Sequence, residues 1–251
     1  MEALSHLNPK ARETIQKFSE EMRSVFGKNI ISILLYGSAV GDNFDPERSD
    51  INFLIVFSKI DMDILRKYTG VSGKWQKKKV ATPLILTEDY ILNSADVFPI
   101  EFLELKENHV LLYGKNILKD LTVDLENLKL QVEEQLKGKL LHLRGGFLDS
   151  GERKGYLERL LTSSLIAFVP IFRNVLRLME KGVPVSRGTL FRDFCSEVGL
   201  DERPFFRVWD IKGGKTKLIK EEVIELFGEY LSQIERLVEK VDSLILKGKV
   251  R

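Results

Sequence analysis

A mixed-sheet α/β domain followed by an all-helical bundle is the fold class this sequence predicts. Three observations carry it. Two short runs, Ile31 to Tyr36 and Phe53 to Phe57, are apolar on both faces and flank a Gly37-Ser38 turn. Strands of that kind lie in the middle of a sheet covered on both sides. After Gly114 the apolar period changes from two residues to three and four, the helical spacing. The final stretch then holds one apolar stripe from Val223 to Ile245.

Asn8-Pro9 reads as a helix cap followed by proline in the first turn. Ala11, Ile15, Phe18, Met22 and Val25 recur at helical steps, and Gly27 ends the element. The first strand, the Gly-Ser turn and the second strand follow. A third strand is expected over Val80 to Leu86, a short helix from Thr87 to about Ala95, a fourth strand over Pro99 to Leu105, and a short fifth over Val110 to Tyr113. Helices are expected over Thr122–Leu143, Tyr156–Glu180 with a kink at Pro170, Ser186–Val198, Arg203–Asp210 and Lys220–Leu246. The division falls at 1–117 for the α/β domain and 118–251 for the bundle.

The chain has 251 residues, 43% hydrophobic and 30% charged, enough for a sizeable core. Lys and Arg number 39 against 37 Asp and Glu, so bulk charge gives no strong nucleic-acid signal. The single cysteine, Cys195, can form no internal disulfide and predicts a reducing compartment. The first residues lack a signal-peptide pattern, and no apolar run approaches the roughly 18–20 residues that cross a bilayer. A cytoplasmic protein without a membrane partner is expected. His109 and His142 are not at metal-ligand spacings and read as structural or surface residues. Cys195 reads as a small buried apolar residue.

The chemistry concentrates between residues 37 and 52. A strand ending in Gly37-Ser38 offers backbone N–H groups and a hydroxyl to a phosphate. Asp50 and Asn52 stand two residues apart on the next strand, so both side chains share a face. A carboxylate from another strand would complete an oxygen site for a divalent cation. Glu101 is the first candidate. Glu104, on the opposite face if the segment is a strand, is the second. Lys74 to Lys79 reads either as a phosphate contact or as a solvated hairpin, and Trp75 within it as a base-stacking platform or a sheet-edge residue.

Leu35-Tyr36-Gly37-Ser38 followed by Ser49-Asp50-Ile51-Asn52-Phe53-Leu54-Ile55-Val56 resembles the signature of the nucleotidyltransferases of the DNA polymerase beta superfamily. The α/β-then-helical order is similar to that of kanamycin nucleotidyltransferase. The resemblance implies that Gly37 and Ser38 hold the phosphates of a nucleoside triphosphate, that Asp50 ligates Mg²⁺ or Mn²⁺, and that Glu101 is the third acid and general base. Asn52 occupies the place of the second metal-binding acid, and Ala39 a place where relatives often carry a polar residue. Transfer of a nucleoside monophosphate to a small-molecule or protein acceptor is one expectation. A nucleotide-binding or protein-interaction module with catalysis weakened or lost is the other. The apolar stripe of the last helix adds a homodimer as a third partner class.

Overall fold

The computed structural model describes residues 4–41, 44–47, 49–184 and 187–244. The chain forms two compact units, one ending at Thr122 and the next starting at Val123.

The first unit begins with α1 (Pro9–Phe26). Asn8 caps it by accepting from the Ala11 N–H at 2.7 Å. A 3-10 turn leads into β1 (Ile30–Tyr36), a second one covers Gly37–Val40, and β2 (Asn52–Phe57) follows. The remaining elements are α2 (Met62–Gln76), β3 (Leu84–Thr87), α3 (Glu88–Asn93), α4 (Pro99–Glu107) and β4 (His109–Gly114). The sheet order is β3-β2-β1-β4. β1 runs antiparallel to both β2 and β4, and β2 runs parallel to β3. The two strands read as central are therefore the central pair.

Strand alternation divides the core. Ile33, Leu35, Phe53, Ile55 and Phe57 join Ile15, Phe18 and Met22 of α1 and Ile64, Tyr68 and Trp75 of α2. Leu34, Leu54 and Val56 face the other way, onto Ile91, Phe102, Leu105 and Leu118. Gly114 ends β4 at φ +81°, where a Cβ would stand 1.9 Å from the Ile31 carbonyl oxygen. Glycine alone lets the two backbones come that close.

Two expectations are corrected. Pro99 to Leu105 is not a strand but most of α4. A short apolar run is ambiguous between strand and helix, and here Pro99 fits the first helical turn while Phe102 and Leu105 pack onto the sheet. Residues three apart on a helix share a face. Glu101 and Glu104 thus project from one side of α4, not from opposite faces of a strand. Second, Lys74 to Gln76 is not a hairpin but the end of α2, capped at its start by Asp61, whose side chain accepts from the Ile64 N–H at 3.0 Å. Trp75 is only 3% exposed and cannot stack an incoming base. Its Nε1–H donates to Glu21 at 2.7 Å, and its ring meets Phe18 edge-on.

The second unit contains α5 (Leu125–Ser150), α6 (Lys154–Leu178), α7 (Arg187–Val198), α8 (Arg203–Lys212) and α9 (Lys220–Asp242). α6 contacts each of the other four. Phe172 lies at the centre of an aromatic cluster, stacked on Phe194 at 4.2 Å and edge-on to Phe191 and Phe205. Pro170 sits inside α6, and Asn174 Nδ2 donates to its carbonyl at 2.8 Å. Contrary to the sequence reading, α6 is long and apolar enough to cross a membrane by length and composition, with a mean hydropathy of 1.3 over 18 residues. Of that window 61% is buried, as in the core helix of a bundle. The apolar stripe of α9, which offered a surface for a second copy, is buried within the described part of the chain, and Leu244 is its last described position, Ile245 lying outside the described residues. Val223, Leu226, Phe227, Tyr230, Ile234 and Leu237 are all buried.

Candidate functional site

The site begins with a backbone constraint. β1 and β2 pair with Tyr36 opposite Asn52, so the turn leaving β1 meets the residues entering β2. Gly37 takes φ +76°, a left-handed value that favours glycine. A Cβ built there would lie 3.0 Å from Asn52 Nδ2 and 3.8 Å from its Cγ. The Asn52 amide is therefore aimed at the Gly-Ser turn. Two signals separated by fifteen residues in sequence face each other in space.

The surroundings fix this arrangement. The Ile51 N–H donates to the Lys79 carbonyl at 2.8 Å, and the Ala81 N–H to the Ile51 carbonyl at 3.0 Å. Those bonds pin the backbone between Asp50 and Asn52. The preceding loop is tied to itself, since the Asp45 N–H donates to Ser49 Oγ at 3.0 Å and the Glu47 N–H to Asp45 Oδ1 at 2.9 Å. On the other side of β1, Tyr36 pairs with His109 of β4. The His109 ring is spent on structure, with Nδ1 near the carbonyls of Leu105 and Lys106 at 2.9 and 3.0 Å. Tyr36 is half-buried on the Asn52 face, and burial raises its phenol above the ordinary range, so it stays neutral.

Asp50 is exposed, Ser38 is half-buried, and Ala39 is fully buried beneath the turn. The structure thus assembles Gly37 and Asn52 directly and brings Ser38 and Asp50 to the two chain segments that flank them. Glu101 is exposed on α4, whose Phe102 and Leu105 pack on the same sheet face as Leu54. Among the described residues no three His, Cys, Asp or Glu side chains are grouped as metal ligands. The donors at the turn are one carboxylate and one neutral carboxamide. Hard divalent cations favour several anionic oxygens, so this set does not fit the three-acid, two-cation centre that the resemblance implies.

Sequence reasoning missed one residue here. His6 Nε2 lies 3.1 Å from the Ala39 carbonyl oxygen, tying the segment before α1 to the Gly-Ser turn. No periodicity or spacing marks His6. The buried Leu7 beside it, just ahead of the α1 cap, was the available hint.

No family model matches the chain, and no curated protein matches it by sequence. Its three-dimensional structure is similar to the crystal structure of spectinomycin adenyltransferase AAD(9) from Enterococcus faecialis with ATP and spectinomycin. The TM-score is 0.56 at 14% identity, over 89% of this chain and 99% of that one. The likeness extends over both units: the chain shares the fold of that protein.

Proposed function

We propose that this chain binds a nucleoside triphosphate at the Gly37–Ser38 turn and that nucleotidyl transfer is weakened or lost. The observation that carries the reading is that the Asn52 amide faces the turn, so closely that a Cβ at Gly37 would stand 3.0 Å from its Nδ2. Only glycine at position 37 leaves the backbone open to a phosphate while accommodating the amide behind it. Asn52 Nδ2 is a hydrogen-bond donor and Oδ1 an acceptor, so the side chain can orient a phosphate oxygen. It brings no negative charge and cannot take a proton.

In nucleotidyl transfer, an acceptor hydroxyl oxygen bonds to the α-phosphorus as the bond to pyrophosphate breaks, and the hydroxyl proton must pass to a base. Positioning can come from Gly37, Ser38 and Asn52. The nearby carboxylate able to accept a proton is Asp50, one residue before the pinned Ile51. A fold shared with a protein crystallised with ATP and spectinomycin supports ATP as the first nucleotide to test and a small hydroxylated molecule as the acceptor class. A second reading, a nucleotide-binding module without turnover, is favoured by the lack of a three-carboxylate group among the described residues.

Calorimetric titration with ATP and with GTP, each with Mg²⁺ or Mn²⁺, tests the shared claim of binding. Saturable binding that falls at least about tenfold in a folded Asp50→Ala variant is the expected result. Pyrophosphate release with spectinomycin and other hydroxylated acceptors then separates the two readings. Binding without release assigns the module, whereas absence of any nucleotide binding sinks both.

A further inference from the structure

Lys77, Lys78 and Lys79, a run the nucleotide site does not use, line a cleft of about 510 Å³ with Lys10 and Lys17 of α1. We propose that this cleft is a second anion site, which takes the phosphate chain of a small phosphorylated molecule. It lies on the far side of β2 from Asn52. Ile51 and Ser49 line it, and strand alternation turns Asn52 to the opposite face.

Charge is the first argument. Among the described residues the cleft gathers five lysines against two carboxylates, Glu13 and Glu47. Lys17 is paired with Glu13 at 2.5 Å. Lys79 Nζ donates to the backbone carbonyls of Pro46 and Glu47, which leaves the Glu47 carboxylate unused by it. Lys10 and Lys77 are in no ion pair among the described residues, while Lys78 Nζ lies 5.0 Å over the Trp75 ring and its charge also acts on Glu13. A concavity lined by an excess of ammonium groups raises the local concentration of anions.

Backbone geometry is the second argument. Lys79 adopts φ +60°, a left-handed conformation that side-chain-bearing residues rarely take. That conformation turns the chain out of α2 and into the bridge between Ile51 and Val80, and it places three consecutive lysines on the cleft wall. Glycine would hold the same turn without strain but would bring no ammonium. Size is the third argument, since pockets for small molecules span roughly 300–1,000 Å³. Phe44 and Ala11 give the cleft an apolar side for whatever carries the phosphates.

The test is calorimetric titration of the full chain with inorganic tripolyphosphate at low ionic strength, with a chelator present so that no divalent cation contributes. Saturable binding is expected, weakened roughly tenfold by Lys77→Glu and again by Lys10→Glu, and weakened by added salt. Both lysines are exposed, and unchanged circular dichroism would confirm that the variants fold. Three results overturn the proposal. They are no binding, binding indifferent to both lysine variants but lost in Asp50→Ala, and tighter binding of single-stranded oligothymidylate with the same lysine dependence, which would assign the cleft to a nucleic acid.

Discussion

Gly37→Ala separates two costs that meet at the turn. The first is conformational: φ is +76°, and a left-handed conformation costs an L residue about 1–2 kcal/mol. The second is contact. The new methyl would stand 3.0 Å from Asn52 Nδ2, so the amide must move by a few tenths of an ångström. Asn52 is half-buried and can rotate, at roughly 0.5–1.5 kcal/mol for leaving its rotamer. The two together predict a loss of about 1.5–3.5 kcal/mol from the first unit. Urea unfolding followed by the fluorescence of buried Trp75, in a Trp209→Phe background, isolates that unit. Adding Asn52→Ala should return the contact cost alone, leaving the variant about 1–2 kcal/mol below its parent. Gly37→Ala within about 0.5 kcal/mol of the parent, or full rescue by Asn52→Ala, would refute the geometry.

Other positions give independent checks. Gly114→Ala should be the most damaging small substitution in the first unit, above about 4 kcal/mol, because its methyl would meet the Ile31 carbonyl oxygen at 1.9 Å and backbone cannot rotate away. A chemical melt following Trp75 reads this directly. Phe172→Ala should cost roughly 3–5 kcal/mol in the second unit, where the ring stacks on Phe194, and denaturation followed by Trp209 would show it. Burial, with Glu202 and Asp201 adding like charge, pushes the Cys195 thiol from 9.0 up to about 12. The native thiol should therefore resist alkylation at pH 8 until the chain unfolds. Between those two values the unfolded state holds fewer protons than the native state, so stability falls as pH rises. The share due to Cys195 is about 1.4 kcal/mol at pH 10 and should vanish from the melting curves of Cys195→Ala.

The parts that could be read in the sequence are those where one physical demand dominates. β1 and β2 are apolar on both faces because the sheet is covered on both, and nothing competes with that reading. α9 carries a long stripe because it lies in the bundle core. Its stripe could not say whether the covering surface was a second copy or the same chain, and here Tyr230 and its neighbours are covered by the chain itself. α2 was hidden by Gly70 and Gly73, whose low helix propensity obscured the Ile64, Tyr68 and Trp75 spacing. α4 was misread because a nine-residue run with Ile100, Phe102, Leu103 and Leu105 suits either period, and packing decides it. The strand expectation put Glu101 on the sheet, whereas the structure puts it on α4. That Asp50 and Asn52 lie close to the Gly-Ser turn in sequence was legible, whereas the approach of Asn52 to Gly37 needed the β1–β2 register. The His6 contact and the lysine cleft were not, because both depend on distant segments meeting.

The central claim of the proposal is that the Gly37–Ser38 turn binds a nucleoside triphosphate and that Asn52, which faces the turn and brings no charge, weakens that binding. Calorimetric titration of Asn52→Asp with ATP and Mn²⁺ beside the parent chain tests it most directly. Restoring the carboxylate should tighten binding of the nucleotide–cation pair by at least about tenfold, or about 1.4 kcal/mol. A folded Asn52→Asp protein that binds ATP and Mn²⁺ no better than its parent would contradict the account.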